Sequence, residues 1–310
     1  MATTVAVFFQ QPGIHAYPLH TEPYRQRFAE LAREVERLGA QFRVVREQSC
    51  YVGNGLFKRG WKYAYGRLVP AGPVRGSVIF DKGYFVSDDS VPVFNPTALS
   101  HLCTDKYLTA TTFPDDSPHT LYIASEAEFQ AAIQHQPDRL KVVKPLDGLG
   151  GEGVYIGTAS ELQTTDRQYP CLVQEFLDTS GGIADITKSH HDLRIAILNG
   201  NIVYVLVRTP PPGQLVASAG LGAHIRAIDR HRLPTTALDL VGRVERQMSA
   251  YTQRFYSIDL AFVNGQPKII ELNSRVGLGD SFWHPDIANT KRKLAATLVN
   301  IAMHTTLVQT

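Results

Sequence analysis

Residues 141–156, Lys-Val-Val-Lys-Pro-Leu-Asp-Gly-Leu-Gly-Gly-Glu-Gly-Val-Tyr-Ile, limit what this chain can fold into more than any other stretch. Two β-branched runs flank a loop with glycine at 148, 150, 151 and 153, and Lys144 stands near the end of the first run. Such runs are strands, and glycines clustered between them make a loop whose backbone turns tightly. Glycine also lets successive N–H groups approach an anion, while a lysine at the rim supplies a point charge. Taken alone, the stretch is either a phosphate-binding loop or a glycine-rich hairpin that binds nothing. The rest of the chain has to decide.

The chain has 310 residues, enough for two or three compact units. With 44% hydrophobic and 19% charged residues it has the composition of a folded globular protein. A net charge of +2 gives no reason to expect a nucleic-acid partner or a membrane surface. Cys50, Cys103 and Cys171 are far apart and lack metal-ligand spacing, which fits reduced thiols. No signal-peptide pattern opens the sequence, and no apolar run approaches the roughly 20 residues that span a bilayer. The expected setting is cytoplasmic.

Periodicity predicts a β-α-β opening: a strand at 4–9, a helix at 23–38 with Phe28, Leu31, Ala32, Val35 and Leu38 on one face, and a strand at 42–45. Residues 54–67 interleave basic and aromatic side chains. They read as a surface loop whose aromatics pack back on the domain, as a single-strand nucleic-acid patch, or as the border of an acceptor pocket. Strands come next at 77–81 and 91–94, then helices at 97–103, with a threonine near its start, and at 104–112. The Pro- and Asp-rich segment 113–118 is a boundary. A second unit begins there: a strand from Thr120, a helix at 126–135, strands at 140–143 and 154–157, and a strand at 171–177. Gly181-Gly182 marks the next boundary. Beyond it lie strands at 191–198 and 202–208, a helix at 235–255 with Leu238, Val241, Val244 and Met248 on its core face, strands at 256–263 and 267–273, and a helix at 287–302. The units are therefore 1–113, 114–180 and 181–310, an α/β to α+β chain.

The last strand pair carries the chemistry. Asn264-Gly265 is a strong hairpin signal, and tight pairing about it sets Glu271 opposite Ile258, the neighbour of Asp259. Glu271 and Asn273 share a face. Three oxygen-bearing side chains converging in an apolar sheet either stand at a mouth open to water or are compensated by a hard divalent cation. A lysine-bearing glycine loop together with such a trio suits a triphosphate with Mg²⁺. Lys106, Lys144, Arg194, Arg208 and Arg275 are the candidate cations for stabilising phosphoryl transfer. The loop is not a Walker P-loop, because no Gly-Lys-Ser/Thr ends it. His190 and His191 point to opposite faces of a strand and complete no ligand set.

Asn95-Pro96, Asp105-Lys106, Lys144-Pro145 with its glycines, Gln174-Glu175-Phe176-Leu177, Asp192-Leu193-Arg194, and Asp259 with Glu271-Leu272-Asn273 occur in that order. Over residues 95–280 the chain resembles the ATP-grasp superfamily, within it the glutathione synthetase and ribosomal-protein glutamate ligase branch. The resemblance implies three domains, the last two enclosing ATP. It implies a carboxylate–amine ligase working through an acylphosphate, with ADP and phosphate released. It sets Lys106 and Lys144 on the phosphates, with Asp147, Gly148, Gly150, Gly151 and Gly153 closing over them. Gln174, Glu175, Phe176 and Leu177 would line the adenine site, with Asp192 at the ribose. Asp259, Glu271 and Asn273 would hold Mg²⁺ or Mn²⁺, and Arg194, Arg208 and Arg275 would meet the acceptor carboxylate or the migrating phosphate. The implied partners are small-molecule or peptide carboxylates and amines, and further copies of the chain. A small-molecule kinase and a non-catalytic ATP-binding regulator are the alternatives on the same fold. The departure lies in 214–222, where Val216 and Ser218 replace the arginine and asparagine that the resemblance expects; Arg226 is a candidate to compensate. Pro210-Pro211-Pro212 stiffens this segment.

Overall fold

The computed structural model describes residues 2–148 and 150–308, and the chain builds three sheets in sequence order. The first comprises β1 (Thr4–Phe9), β2 (Gln41–Arg46), β3 (Tyr51–Gly53), β4 (Leu56–Ala64), β5 (Arg67–Arg75), β6 (Val78–Asp81) and β7 (Val93–Phe94), with α1 (Glu22–Arg37) between β1 and β2. β2, β1, β6 and β7 are parallel neighbours in that order. All of β1 is buried, which is why it reads as an unbroken apolar run. α1 covers one face with Phe28, Leu31, Ala32 and Val35, and Gly39 stops it by donating its N–H to Glu36 O.

Residues 54–67 are not a loop. They form the turn from β3, the strand β4 and its turn into β5, a hairpin that extends the sheet beyond β2. Phe57 packs there with Phe8 and Phe85. Trp61 and Tyr63 rest half-buried on the first core, so of the basic and aromatic side chains Lys58, Arg59, Lys62, Tyr65 and Arg67 remain exposed. β5 escapes sequence reading because Pro70, Gly72 and Pro73 interrupt it. A strand with prolines survives at a sheet edge, and β5 pairs with β4 alone.

Two short helices, α2 (Thr97–Thr104) and α3 (Lys106–Thr112), lead out of this sheet. Pro96, not Thr97, is the N-cap of α2, without a side-chain bond. Asp105 caps α3 by accepting from Tyr107 N and Leu108 N. The second sheet is antiparallel, in the order β10 (Tyr155–Gly157), β9 (Lys141–Pro145), β11 (Cys171–Glu175) and β8 (Thr120–Ile123). Helices α4 (Glu126–Gln134) and α5 (Ala159–Leu162) close its small core around Phe129, Ile133, Val143 and Val173.

The third sheet runs β14 (His224–Ile228), β13 (Asn201–Thr209), β12 (Asp192–Leu198), β15 (Phe255–Val263) and β16 (Gln266–Asn273), all antiparallel. Helix α6 (Thr235–Met248) covers one face. It ends seven residues before the expected 255, because Phe255 pairs with Leu198 and opens β15 instead. Leu238 is 44% exposed, and the buried face is Ala237, Leu240, Val241, Val244 and Met248. The final helix α7 (Pro285–Val308) packs against α1, β1, β6 and β13, so the first and third sheets share one core. No helix among the described residues is long and apolar enough to cross a membrane.

The hairpin of β15 and β16 also departs from the simple register. From Val263 opposite Gln266 to Leu260 opposite Ile269 it is regular; then Asp259 faces Glu271, leaving Ile270 as an extra residue. This β-bulge moves Glu271 one place along, from opposite Ile258 to opposite Asp259.

Gly60 sits where β4 runs beside β2: a Cβ there would lie 2.5 Å from Val74 Cγ2 and 2.9 Å from Val44 O. Gly60→Val should lower stability by about 2–3 kcal/mol through overpacking, read as a lower urea midpoint at unchanged m-value.

Candidate active site

One face of the third sheet is polar in an orderly way. Arg194 pairs with Asp259, and Asp259 with Glu271, so three strands carry one row of charges. Asp192 and Arg208 form the neighbouring pair, and Asn273 faces Ser257 beside Asp259. Residues two apart on a strand share a face, so the whole group projects to one side. Asp259 is 0% exposed. Arg194 grips it bidentately, Nε to Oδ1 at 2.7 Å and Nη2 to Oδ2 at 2.6 Å. Arg208 Nη2 donates to the same Oδ2 at 2.6 Å and also to Asp192 Oδ2. Asn273 Nδ2 donates to Glu271 Oε1 at 3.0 Å and reaches Asp259 Oδ2 at 3.4 Å.

The charge that compensates buried Asp259 is therefore two guanidinium groups, where the sequence pattern suggested a metal cation. Burial works against the Asp259 charge, but Arg194 and Arg208 outweigh it and hold the carboxyl well below the usual carboxylate range. Asp192 goes the other way: burial, which the second carboxylate reinforces, pushes it up to about 7 against the pull of Arg208. Asp192 Oδ1 and Arg208 Nε are buried without a partner among the described residues.

Lys144 and Lys106 reach this face from the other side. Lys144, near the end of β9, is buried, and its Nζ donates to Ile270 O at 3.4 Å, the carbonyl of the bulged residue. Lys106, the first residue of α3, donates to Gly148 O at 3.2 Å, while its N–H bonds to Leu146 O. Gly148, Gly150, Gly151 and Gly153 all have positive φ, 131°, 73°, 83° and 69°, so the loop takes a path that side chains resist; Leu149 lies outside the described residues. Asp147 is exposed beside Lys106. Lys106, Gly148, Glu271, Asn273 and Arg275 line one pocket together with Tyr84, Cys103, Thr104 and Ser274.

The residues expected at the adenine lie at the end of β11. Gln174 is buried and donates to Thr120 Oγ1 at 2.6 Å, whereas Glu175 is exposed at the last position of the strand. Phe176 and Leu177 come directly after it, half-buried. Val216 and Ser218 face the glycine loop: Ser218 Oγ donates to Gly150 O, and a Cβ on Gly151 would touch Val216, Ser218 and Leu221. Arg226 does not compensate for them. It pairs with Val207, on the opposite face from Arg208, and its guanidinium donates to Ile186 O. Sequence reasoning missed Tyr84 and Lys82. Their signal was the position of Asp81-Lys82-Gly83-Tyr84, straight after a buried parallel strand, where such sheets place ligands.

The architecture is shared with ligases. A D-cycloserine synthetase superposes with a TM-score of 0.66 at 13% identity, over 96% of this chain and 99% of that one. Residues 106–273 match the model of the prokaryotic glutathione synthetase ATP-grasp domain, more than half of the chain, and the chain belongs to that family. It is 26% identical over 143 residues to the glutathione synthetase of Thermosynechococcus vestitus, covering 44% of this chain and 41% of that protein. It is 30% identical over 129 residues to that of Citrobacter rodentium, covering 39% and 38%. The chain thus spans about two fifths of the length of the curated relatives it matches.

Burial pushes the Lys144 ammonium down to about 8, with Glu271 pulling it up and Lys106 down; burial and Arg275 push Lys82 down to about 7. Between those values and the ordinary lysine value of about 10.4, the unfolded chain binds more protons than the folded one. Stability should therefore rise with pH across that window. Relative to Lys144→Met, the wild-type protein should gain up to about 1.4 kcal/mol per pH unit between pH 8 and 10, measured from urea midpoints. Arg208→Met, which strands Asp192 in the interior, should cost about 3 kcal/mol, and adding Asp192→Asn should recover part of it.

Proposed function

We propose that this protein is an ATP-dependent carboxylate–amine ligase that forms an amide through an acylphosphate. The observation that carries the reading is the convergence of Lys106, Gly148 of the glycine loop, Glu271, Asn273 and Arg275 on one pocket, with Lys144 bonded to the carbonyl of Ile270 beside Glu271, in a chain of this family. Lys106 and Lys144 bind the phosphates as point charges, and Gly148, Gly150, Gly151 and Gly153 close over them with backbone N–H groups. Gln174 to Leu177 border the adenine. The unpartnered Asp192 Oδ1 supplies the acceptor that a ribose hydroxyl would need.

The donor set fits a divalent cation. Asn273 spends its amide nitrogen on the two carboxylates, which leaves its oxygen for a metal beside Glu271. Mg²⁺ asks for little more from a protein, since phosphates and water complete its octahedron. Among the described residues no cluster of three or more His, Cys, Asp or Glu has the geometry to hold a metal. Asp259 gives both oxygens to arginines, so it orients Glu271 and Asn273 more than it ligates. Bound there, Mg²⁺ or Mn²⁺ would neutralise phosphate charge.

In the reaction, a carboxylate oxygen attacks the γ-phosphorus and the bond to ADP breaks. An amine then attacks the acyl carbon, phosphate leaves, and the amine loses a proton. Arg275 lies at the pocket mouth to hold the acceptor carboxylate or the transferring phosphoryl group, whose charge a fixed guanidinium stabilises. Arg194 and Arg208 act further back, fixing Asp259 and through it the Glu271 row. Residues 1–113, 114–180 and 181–310 serve as acceptor-side, lid and metal-side units. The acceptor and the amine are small molecules or peptides.

ATP, Mg²⁺ and pools of amino acids and short peptides should yield phosphate and a new amide by mass spectrometry. Lys144→Met and Glu271→Gln should each lower the rate by about 100-fold or more. A phosphorylated product without any amide would replace this reading with a kinase. Tight ATP binding without turnover in any pool would replace it with a regulatory ATP sensor.

A further inference from the structure

We propose that Lys82 and Tyr84, on the loop after β6, are positioning residues that hold Arg275 at the mouth of the phosphate pocket. The inference deepens the ligase reading and rests on it for the role of Arg275. Three consecutive residues beyond β16 are each gripped by a different side chain from the loops that leave β6 and β7. Asn95, 0% exposed, donates Nδ2 to Ser274 O at 2.5 Å and also clamps Phe255, its Oδ1 accepting from Phe255 N and its Nδ2 donating to Phe255 O. Tyr84 lies under the Arg275 guanidinium, 4.1 Å from ring centroid to Cζ, and its hydroxyl accepts from Arg275 Nη2. Lys82 Nζ donates to Val276 O at 2.8 Å.

Asn95 alone would anchor the segment, since its bonds already tie Ser274 to the start of β15. The other two side chains act on Arg275 and Val276. Tyr84 fixes the plane and depth of the guanidinium by stacking and by a hydrogen bond, and a stacked arginine is not replaced by a lysine. The same hydroxyl accepts from Thr104 Oγ1 at 2.8 Å, so the ring is itself held by the end of α2, beside Lys106. Lys82 is buried, and among the described residues it forms no ion pair. Its Nζ meets the Val276 carbonyl and lies 5.2 Å from the centroid of the Phe80 ring, and a buried ammonium is a costly way to pack a loop where a neutral donor would serve. Its bond to Val276 O fixes the backbone directly after Arg275, and so the point from which the guanidinium reaches the pocket it shares with Glu271 and Asn273.

The test uses Tyr84→Phe, which keeps the ring and removes the hydroxyl, with Lys82→Met and the conservative Lys82→Arg. In the ¹⁵N-arginine-labelled full chain, the Arg275 Nε–H signal is assigned by its loss in Arg275→Lys. It should be a single, slowly exchanging resonance in the wild type and in Lys82→Arg. In Tyr84→Phe and Lys82→Met it should move to the position of a solvent-averaged arginine. With whichever amino-acid pool supports wild-type turnover, those two variants should lose about 10- to 100-fold in kcat at unchanged KM for ATP, and Lys82→Arg should restore it. A merely structural role would lower the melting temperature and leave both readouts alone. If Lys82→Met fails to fold, Tyr84→Phe decides. An unchanged Arg275 signal in Tyr84→Phe overturns the proposal. A wild-type chain that makes no amide overturns the ligase reading, while the resonance still decides whether these residues position Arg275.

Discussion

The buried carboxylate of Asp259 is the constraint on which the site depends. A charge at zero exposure inside an apolar sheet is untenable alone, and two arginines from the neighbouring strands satisfy it. The bidentate grip of Arg194 fixes the plane of the carboxylate. That plane fixes the face on which Asn273 and Glu271 can stand. Breaking such a network leaves a stranded charge, so removing either arginine would cost more than the bonds it makes.

The bulge at Ile270 joins this row to Lys144 of the second sheet. It brings Glu271 level with Asp259, and the carbonyl of the bulged residue meets Lys144 from the second sheet. One irregularity thus aligns a carboxylate and engages a lysine. Bulges often serve to re-aim side chains next to active sites. The first sheet completes the enclosure through α2, whose end supports Tyr84, and through the segment 274–276. The pocket lies where all three sheets meet, and none of them forms it alone.

Legibility tracked the strength of the local signal. β1 and α1 could be read almost to the residue, because buried parallel strands and amphipathic helices have unambiguous periods. β15 and β16 were equally clear from Asn264-Gly265. β5 was hidden by its prolines and β14 by its mixed polarity, and both are edge strands, where burial imposes little pattern. The end of α6 is not legible locally because Phe255 suits a helix or a strand, and only its pairing with Leu198 decides.

What the sequence determined by itself was the chemical inventory: lysines beside glycines, an acidic strand pair, and motifs in an order that indicates a fold. Those signals are local, since residue type and spacing within a few positions create them. The tertiary structure decided which charges meet. Asp259 lies 65 residues from Arg194 and 51 from Arg208, and no periodicity links strands so far apart. It also decided that Arg226 turns away, that Val216 and Ser218 meet the glycine loop, and that Lys82 and Tyr84 grip the segment bearing Arg275. Strand register sets such pairings. A single extra residue at 270 is enough to change them, because side chains alternate faces at every step along a strand.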